Sequence, residues 1–229
     1  KGFGDLYKSE KKANKKSASS IEDATKQAIK LHLKGNIEEA TKYYQQIINQ
    51  GSDNPIVFSN YGIILQSLGK LKEAEISIRK AIELNPDYAT AHSNLGNILR
   101  IIGKLKEAEI STRKAIELNP DYAIAHSNLG GILRKIGKLQ EAEISTRKAI
   151  ELNPDYATAH SILGDILIDL GKLTELLDLS KLTLRSKSIN DGLKSLALIR
   201  ITITNLLKKD FAETKFYLKK TNDLINQEG

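Results

Sequence analysis

Residues 89–122 and 123–156 are nearly the same 34-residue sequence written twice, differing only at Thr90/Ile124, Asn97/Gly131, Ile101/Lys135 and Lys106/Gln140. A fixed period of this length marks a stacked array, in which each unit is too small to bury its apolar face alone. The period tiles the chain as 21–54, 55–88, 89–122, 123–156 and 157–190. Gly35, Gly69, Gly103, Gly137 and Gly171 recur at that interval, where a left-handed residue would close a first helix. Asn85-Pro86, Asn119-Pro120 and Asn153-Pro154 then stop a second helix. Proline cannot continue the ladder, and the residue before it avoids the helical region.

A second glycine series, Gly62, Gly96, Gly130 and Gly164, falls inside the first helix. Glycine there costs about 1 kcal/mol relative to alanine. Close approach of the second helix, with Ala74, Ala108 and Ala142 on the facing side, would offset that cost. With 5% aromatic residues and no Trp, aliphatic side chains must fill the core. Leu95, Ile98, Leu99, Ile102, Leu105, Ala108, Ala115, Ile116 and Leu118 form one unit's expected share. Residues 191–229 read as a degenerate sixth repeat or helical cap, and residues 1–20 as a flexible basic arm.

The period, the pairs Leu95-Gly96, Leu129-Gly130 and Leu163-Gly164, the alanines at 81, 115 and 149 and the closing prolines resemble the tetratricopeptide repeat (TPR) family. The resemblance implies an all-α fold: a right-handed α-solenoid of antiparallel helix pairs, five TPR units plus the C-terminal hairpin. It also implies a protein- or peptide-binding scaffold, with the open side of the first helices lining a concave groove. Units reading Ala-His-x-Asn-Leu-Gly are similar to TPR arrays of the O-GlcNAc transferase type, in which an asparagine ladder holds peptide backbone. The sequence departs from the family at Phe58, His92, His126 and His160, where an early Trp or Tyr is common, and at Ile78, Thr112 and Thr146, where the second helix often has an aromatic. Thr25, Ser59, Ser93 and Thr90 stand where chaperone-binding members carry carboxylate-clamping cations, so that activity is not implied.

The net charge of +7 is uneven, because six lysines against Asp5 and Glu10 put +4 in residues 1–20. The remainder is close to balanced, which speaks against a nucleic-acid-binding face. The absence of cysteine excludes disulfides and thiolate metal sites and fits a reducing cytoplasm. No stretch approaches the roughly 20 apolar residues of a membrane span. The absence of Met suggests a piece of a longer protein, and the Ile-, Lys- and Asn-rich usage hints at a bacterial source.

No phosphate-binding loop, nucleophile elbow or metal-ligand cluster is present, so neither an enzyme nor a cofactor or metal site is expected. His92, His126 and His160 sit one period apart, too far to share an ion, and read as packing residues. The recurring carboxylates Glu107, Glu109, Glu117 and Asp121 read as surface groups making weak helical pairs.

Binding is expected on the first helices. Thr90, Ser93, Asn94, Asn97, Arg100 and Ile101 share one side of their helix. Asn60, Asn94 and Asn128 recur one period apart, and an amide that both donates and accepts suits an extended backbone. The other reading is that these asparagines hydrogen-bond the helix ends of the neighbouring unit. Three of the four differences between the twin units fall on this stripe. Along it, Ile29, Leu33, Ile56 and Ile63 are apolar, Arg100, Arg134 and Lys135 are basic, and Asp165 and Asp169 are acidic. These residues predict an extended protein or peptide partner with an acidic stretch over the centre. The alternative is a substrate-recruiting N-terminal module of a larger enzyme, with a glycosyl- or sulfotransferase-like domain beyond Gly229.

Overall fold

The computed structural model describes residues 21–185 and 191–225. The expected arm at 1–20 therefore lies outside the described residues, as do 186–190 and 226–229. Every regular element among those described is a helix. The chain divides into two compact units, the first ending at Gly103 and the second beginning at Lys104.

The first unit contains α1 (residues 21–33), α2 (Ile37–Asn49), α3 (Pro55–Ser67), α4 (Leu71–Leu84) and α5 (Ala89–Ile101). Asn54 opens α3, its side-chain oxygen accepting from the Ile56 N–H at 2.9 Å, with Pro55 in the first turn. Gly69, at φ +74°, closes α3, and the Lys70 N–H turns back to the Leu65 carbonyl at 2.9 Å. Such a turn satisfies carbonyls the helix leaves orphaned. Ala28, Ala40, Tyr44, Ile47, Val57 and Ile64 are buried together as the first core. A Cβ on Gly62 would lie 2.6 Å from Ile78 and 3.3 Å from the Ala74 carbonyl, so α3 and α4 touch through the missing side chain.

The second unit contains α6 (Leu105–Leu118), α7 (Ala123–Lys135), α8 (Leu139–Leu152), α9 (Ala157–Asp169), α10 (Leu173–Arg185), α11 (Asp191–Leu207) and α12 (Phe211–Ile225). Leu129, Leu133, Ala142 and Ile166 form one core cluster, and Leu163, Leu167 and Leu176 another. Gly130 repeats the close approach of Gly62, here onto Thr146 and the Ala142 carbonyl. Gly164 departs from the expected pattern: the Arg200 guanidinium, reaching over from α11, fills the space its Cβ would take. The glycine accommodates a cation there rather than an alanine of its own second helix. At the α11–α12 turn, Lys209 takes φ 60°, the left-handed conformation that Gly137 and Gly171 take at the α7–α8 and α9–α10 turns.

Of the core residues expected for one unit, Leu95, Ile98, Leu99, Ala108 and Ala115 are buried, while Ile102, Leu105, Ile116 and Leu118 are half-buried. The fold class is the all-α helical-repeat solenoid.

Candidate binding faces

The histidines take structural work at the turns. In each Asn-Pro-Asp turn the asparagine side chain accepts from the aspartate N–H, at 3.1 Å for Asn85–Asp87 and 3.2 Å for Asn119–Asp121. The histidine of the next helix caps the same turn. The Nε2 atoms of His92 and His126 lie 2.8 Å from the carbonyls of Pro86 and Pro120, and that of His160 lies 2.7 Å from Pro154. A carbonyl only accepts, so Nε2 carries the proton. Among the described residues no three His, Asp or Glu side chains group to hold a metal.

In the first unit, α3 and α5 carry Asn60, Asn94, Asn97 and Arg100, all half-buried. The Asn94 amide donates to the Ser59 hydroxyl at 3.3 Å, which engages one of its two donors. Ser93, expected on the open stripe with Asn94, is instead fully buried, as Ser59 is. Arg100 donates to the Asn97 side-chain oxygen at 2.8 Å. Burial pushes its guanidinium down from the ordinary arginine value. Among the described residues it meets no carboxylate. At the apolar end, Leu33 and Ile56 are exposed and Ile29 and Ile63 half-buried.

In the second unit, Arg134 stands one period after Arg100 but in a different setting. It donates from Nη1 to Asp165 at 2.8 Å and from Nε to Asp169 at 2.6 Å. These hydrogen bonds and charges, Asp169 foremost, outweigh burial and hold its guanidinium above the ordinary value. Asp165 also accepts from Arg200 Nη2 at 2.6 Å, and Arg200 donates to the Ser161 carbonyl at 3.0 Å. The basic and acidic stretches read from the sequence as facing a ligand thus pair with one another here. Lys135 remains exposed and enters no ion pair among the described residues, and Asn128 is half-buried.

The second helices carry charges that were expected to form weak pairs within one helix. In the second unit they also bridge consecutive repeats. Glu109 accepts from Arg113 at 2.8 Å and from Lys138 at 3.1 Å, and Arg113 reaches on to Glu141 at 2.8 Å. One period later Glu143 accepts from Arg147 and Lys172, and Arg147 reaches Glu175. The Glu143 side chain is only 11% exposed. Their place in this ladder accounts for the invariance of Glu109 and Arg113 between the twin units.

Two cavities flank the second helices. One of about 390 Å³ in the first unit is lined by Ile48, Phe58, Tyr61, Leu65 and Ile76. One of about 570 Å³ in the second is lined by Ile116, His126, Leu129, Leu133 and Ile144. Each residue of the second set lies 68 residues after its counterpart, so the repeat builds the same cavity twice. The signal was in the sequence: Ile76, Ile110 and Ile144 are identical, and Ile144 is 71% exposed on an otherwise charged face.

Residues 57–88, 89–122 and 123–156 each match the tetratricopeptide repeat family. The chain carries TPR repeats. No curated protein matches the sequence. Among solved structures, PilW, a widely conserved type IV pilus biogenesis factor, superposes with a TM-score of 0.78 at 19% identity, over 88% of this chain and 91% of that one. Pseudomonas aeruginosa pilF superposes at 0.75 and 17% identity, over 91% and 93%. YrrB, a TPR protein with an unusual peptide-binding site, gives 0.61 at 24%, over 79% and 91%. At these identities the likeness is one of fold. The TPR repeats support a protein-interaction scaffold, and no described helix is long and apolar enough to cross a membrane.

Proposed function

We propose that the α3–α5 face of the first unit binds an extended peptide segment bearing a carboxylate. One observation carries this reading: Arg100 is half-buried, is oriented by Asn97, and has no acidic partner among the described residues. A desolvated guanidinium without a counter-charge is costly in the free protein, and a carboxylate ligand relieves that cost with charge-assisted hydrogen bonds. Asn60 and Asn94 lie one period apart on the same kind of helix and offer amides to peptide backbone. YrrB is described by its peptide-binding site, which supports the class of ligand. Arg134, already paired, belongs to the scaffold in this account, while Lys135 is exposed in the second unit. A recruiting module of a larger enzyme would use the same face.

The test is fluorescence anisotropy of a labelled extended peptide with consecutive glutamates. Asn60→Ala and Asn94→Ala should each weaken binding about five-fold, one neutral hydrogen bond's worth. Unchanged affinity in both variants would sink the backbone-holding role.

A further inference from the structure

In the second unit, α12 turns apolar side chains outward. In α8 and α10 the repeat position of Thr146 and Ser180 is buried, whereas at the same position of α12 Leu218 is 51% exposed. Phe211, seven residues before it and therefore on the same side of α12, is 67% exposed. Leu206 and Leu207, exposed at the end of α11, extend the apolar surface to the turn. Large apolar side chains exposed together on one helix side and its preceding turn mark an interaction surface.

The charges inside this stripe are cationic, while Asp210, beside the turn, caps α12 by accepting from the Glu213 N–H at 3.1 Å. Lys215 lies four residues after Phe211 and three before Leu218, inside the stripe, and Lys219 follows one turn later. Lys209 is at the turn. All three are exposed and enter no ion pair among the described residues. Glu213, two residues from Phe211, points to another side. Two copies of this surface would set lysine against lysine, which disfavours self-association. We propose that the exposed side of α12 docks an amphipathic helix from a partner protein, with aliphatic residues at i, i+4 and i+7 and glutamates or aspartates beside them. The arrangement follows helix-in-groove recognition, with apolar anchors giving affinity and the lysines selecting an acidic flank.

The probe is a synthetic helical peptide with leucines at i, i+4 and i+7 and flanking glutamates, titrated into the full chain beside a counterpart whose glutamates are lysines. The glutamate peptide should bind and the lysine peptide should not. Leu218→Ser should weaken binding at least tenfold. Lys215→Glu/Lys219→Glu should abolish it and restore binding of the lysine peptide, a gain that misfolding cannot produce. Arg100→Gln should leave this binding unchanged, which separates it from the ligand proposed above. Equal binding of the two peptides, insensitivity to Leu218→Ser, concentration-dependent self-association lost in Leu218→Ser, or binding to phosphatidylglycerol vesicles lost in the double lysine variant would each overturn the proposal.

Discussion

Arg134 on α7 is clamped at 2.8 Å by Asp165 on α9, while Arg100, one period earlier, has among the described residues only the neutral Asn97 as a side-chain partner. The same side chain at the same repeat position therefore meets two different settings. The difference lies in the sequence of the unit that follows each arginine. Asp165 and Asp169 follow Arg134 at spacings where, counted from Arg100, Gly131 and Lys135 stand.

Asp165 holds two arginines, and Arg200 is only 8% exposed at its side chain. Asp165→Ala leaves Arg200 buried with only the Ser161 carbonyl. Removing one partner of such a pair costs more than the pair itself contributes. Because Asp165 is partly exposed, a loss of about 2 kcal/mol is expected, smaller than for a fully buried pair. Urea unfolding with α11 exchange protection would show it. A loss confined to well under 0.5 kcal/mol would mean that solvent screens the network.

Gly130 and Gly131 are neighbours with opposite tolerances. A Cβ at Gly130 would collide with Thr146 and sit 3.2 Å from the Ala142 carbonyl, whereas at Gly131 it meets only Ile162 Cδ1, at 3.5 Å. Gly130→Ala should therefore cost about 2 kcal/mol through overpacking. Gly131→Ala should stabilise by up to about 1 kcal/mol, the helix-interior preference for alanine. The pair of midpoints in thermal unfolding checks both signs.

Burial pushes Glu143 up, but the hydrogen bonds and charges of Lys172 and Arg147 outweigh it and hold its carboxyl below the ordinary glutamate value. A folded-state value below the unfolded one contributes stability that is present above the ordinary value and lost as pH falls through the lowered one. Glu109, between Arg113 and Lys138, behaves alike. The array should thus weaken in acid below the usual glutamate range. Glu109→Gln/Glu143→Gln should be less stable than the parent at neutral pH and show a flatter acid limb. Parallel acid limbs would show that the ladder plays no part.

How much of this was legible in the sequence follows from distance along the chain. Gly69, Gly103 and Pro86 act through their own backbone, so their spacing alone announced the helix pairs. Asn94 was legible as a first-helix residue because helical phase is local. The pairing of Arg134 with Asp165 was not, since it depends on how neighbouring first helices pack. The collision of Arg200 with the space at Gly164 was hidden for the same reason, and more deeply, because α11 does not keep the repeat. The burial of Ser93 beside half-open Asn94 turned on one residue of helical phase. The invariance of Glu109 and Arg113 did carry a signal of inter-repeat bonding, but a period of 34 also permits a purely intrahelical pair, and only the packing decides between them.

The central claim is that Arg100 is an unsatisfied cation awaiting a carboxylate. Titration calorimetry of an extended glutamate-containing peptide and its glutamine counterpart, against the parent chain, Arg100→Gln and Arg134→Gln, tests it directly. The account predicts that the parent prefers the glutamate peptide and that Arg100→Gln loses roughly tenfold to a hundredfold in affinity for it, the value of a charge-assisted hydrogen bond. Arg134→Gln should bind within about two-fold of the parent, since a change below about 0.4 kcal/mol is expected where no ligand contact is lost. Equal affinity of the parent for both peptides, or a larger loss at Arg134 than at Arg100, would contradict it.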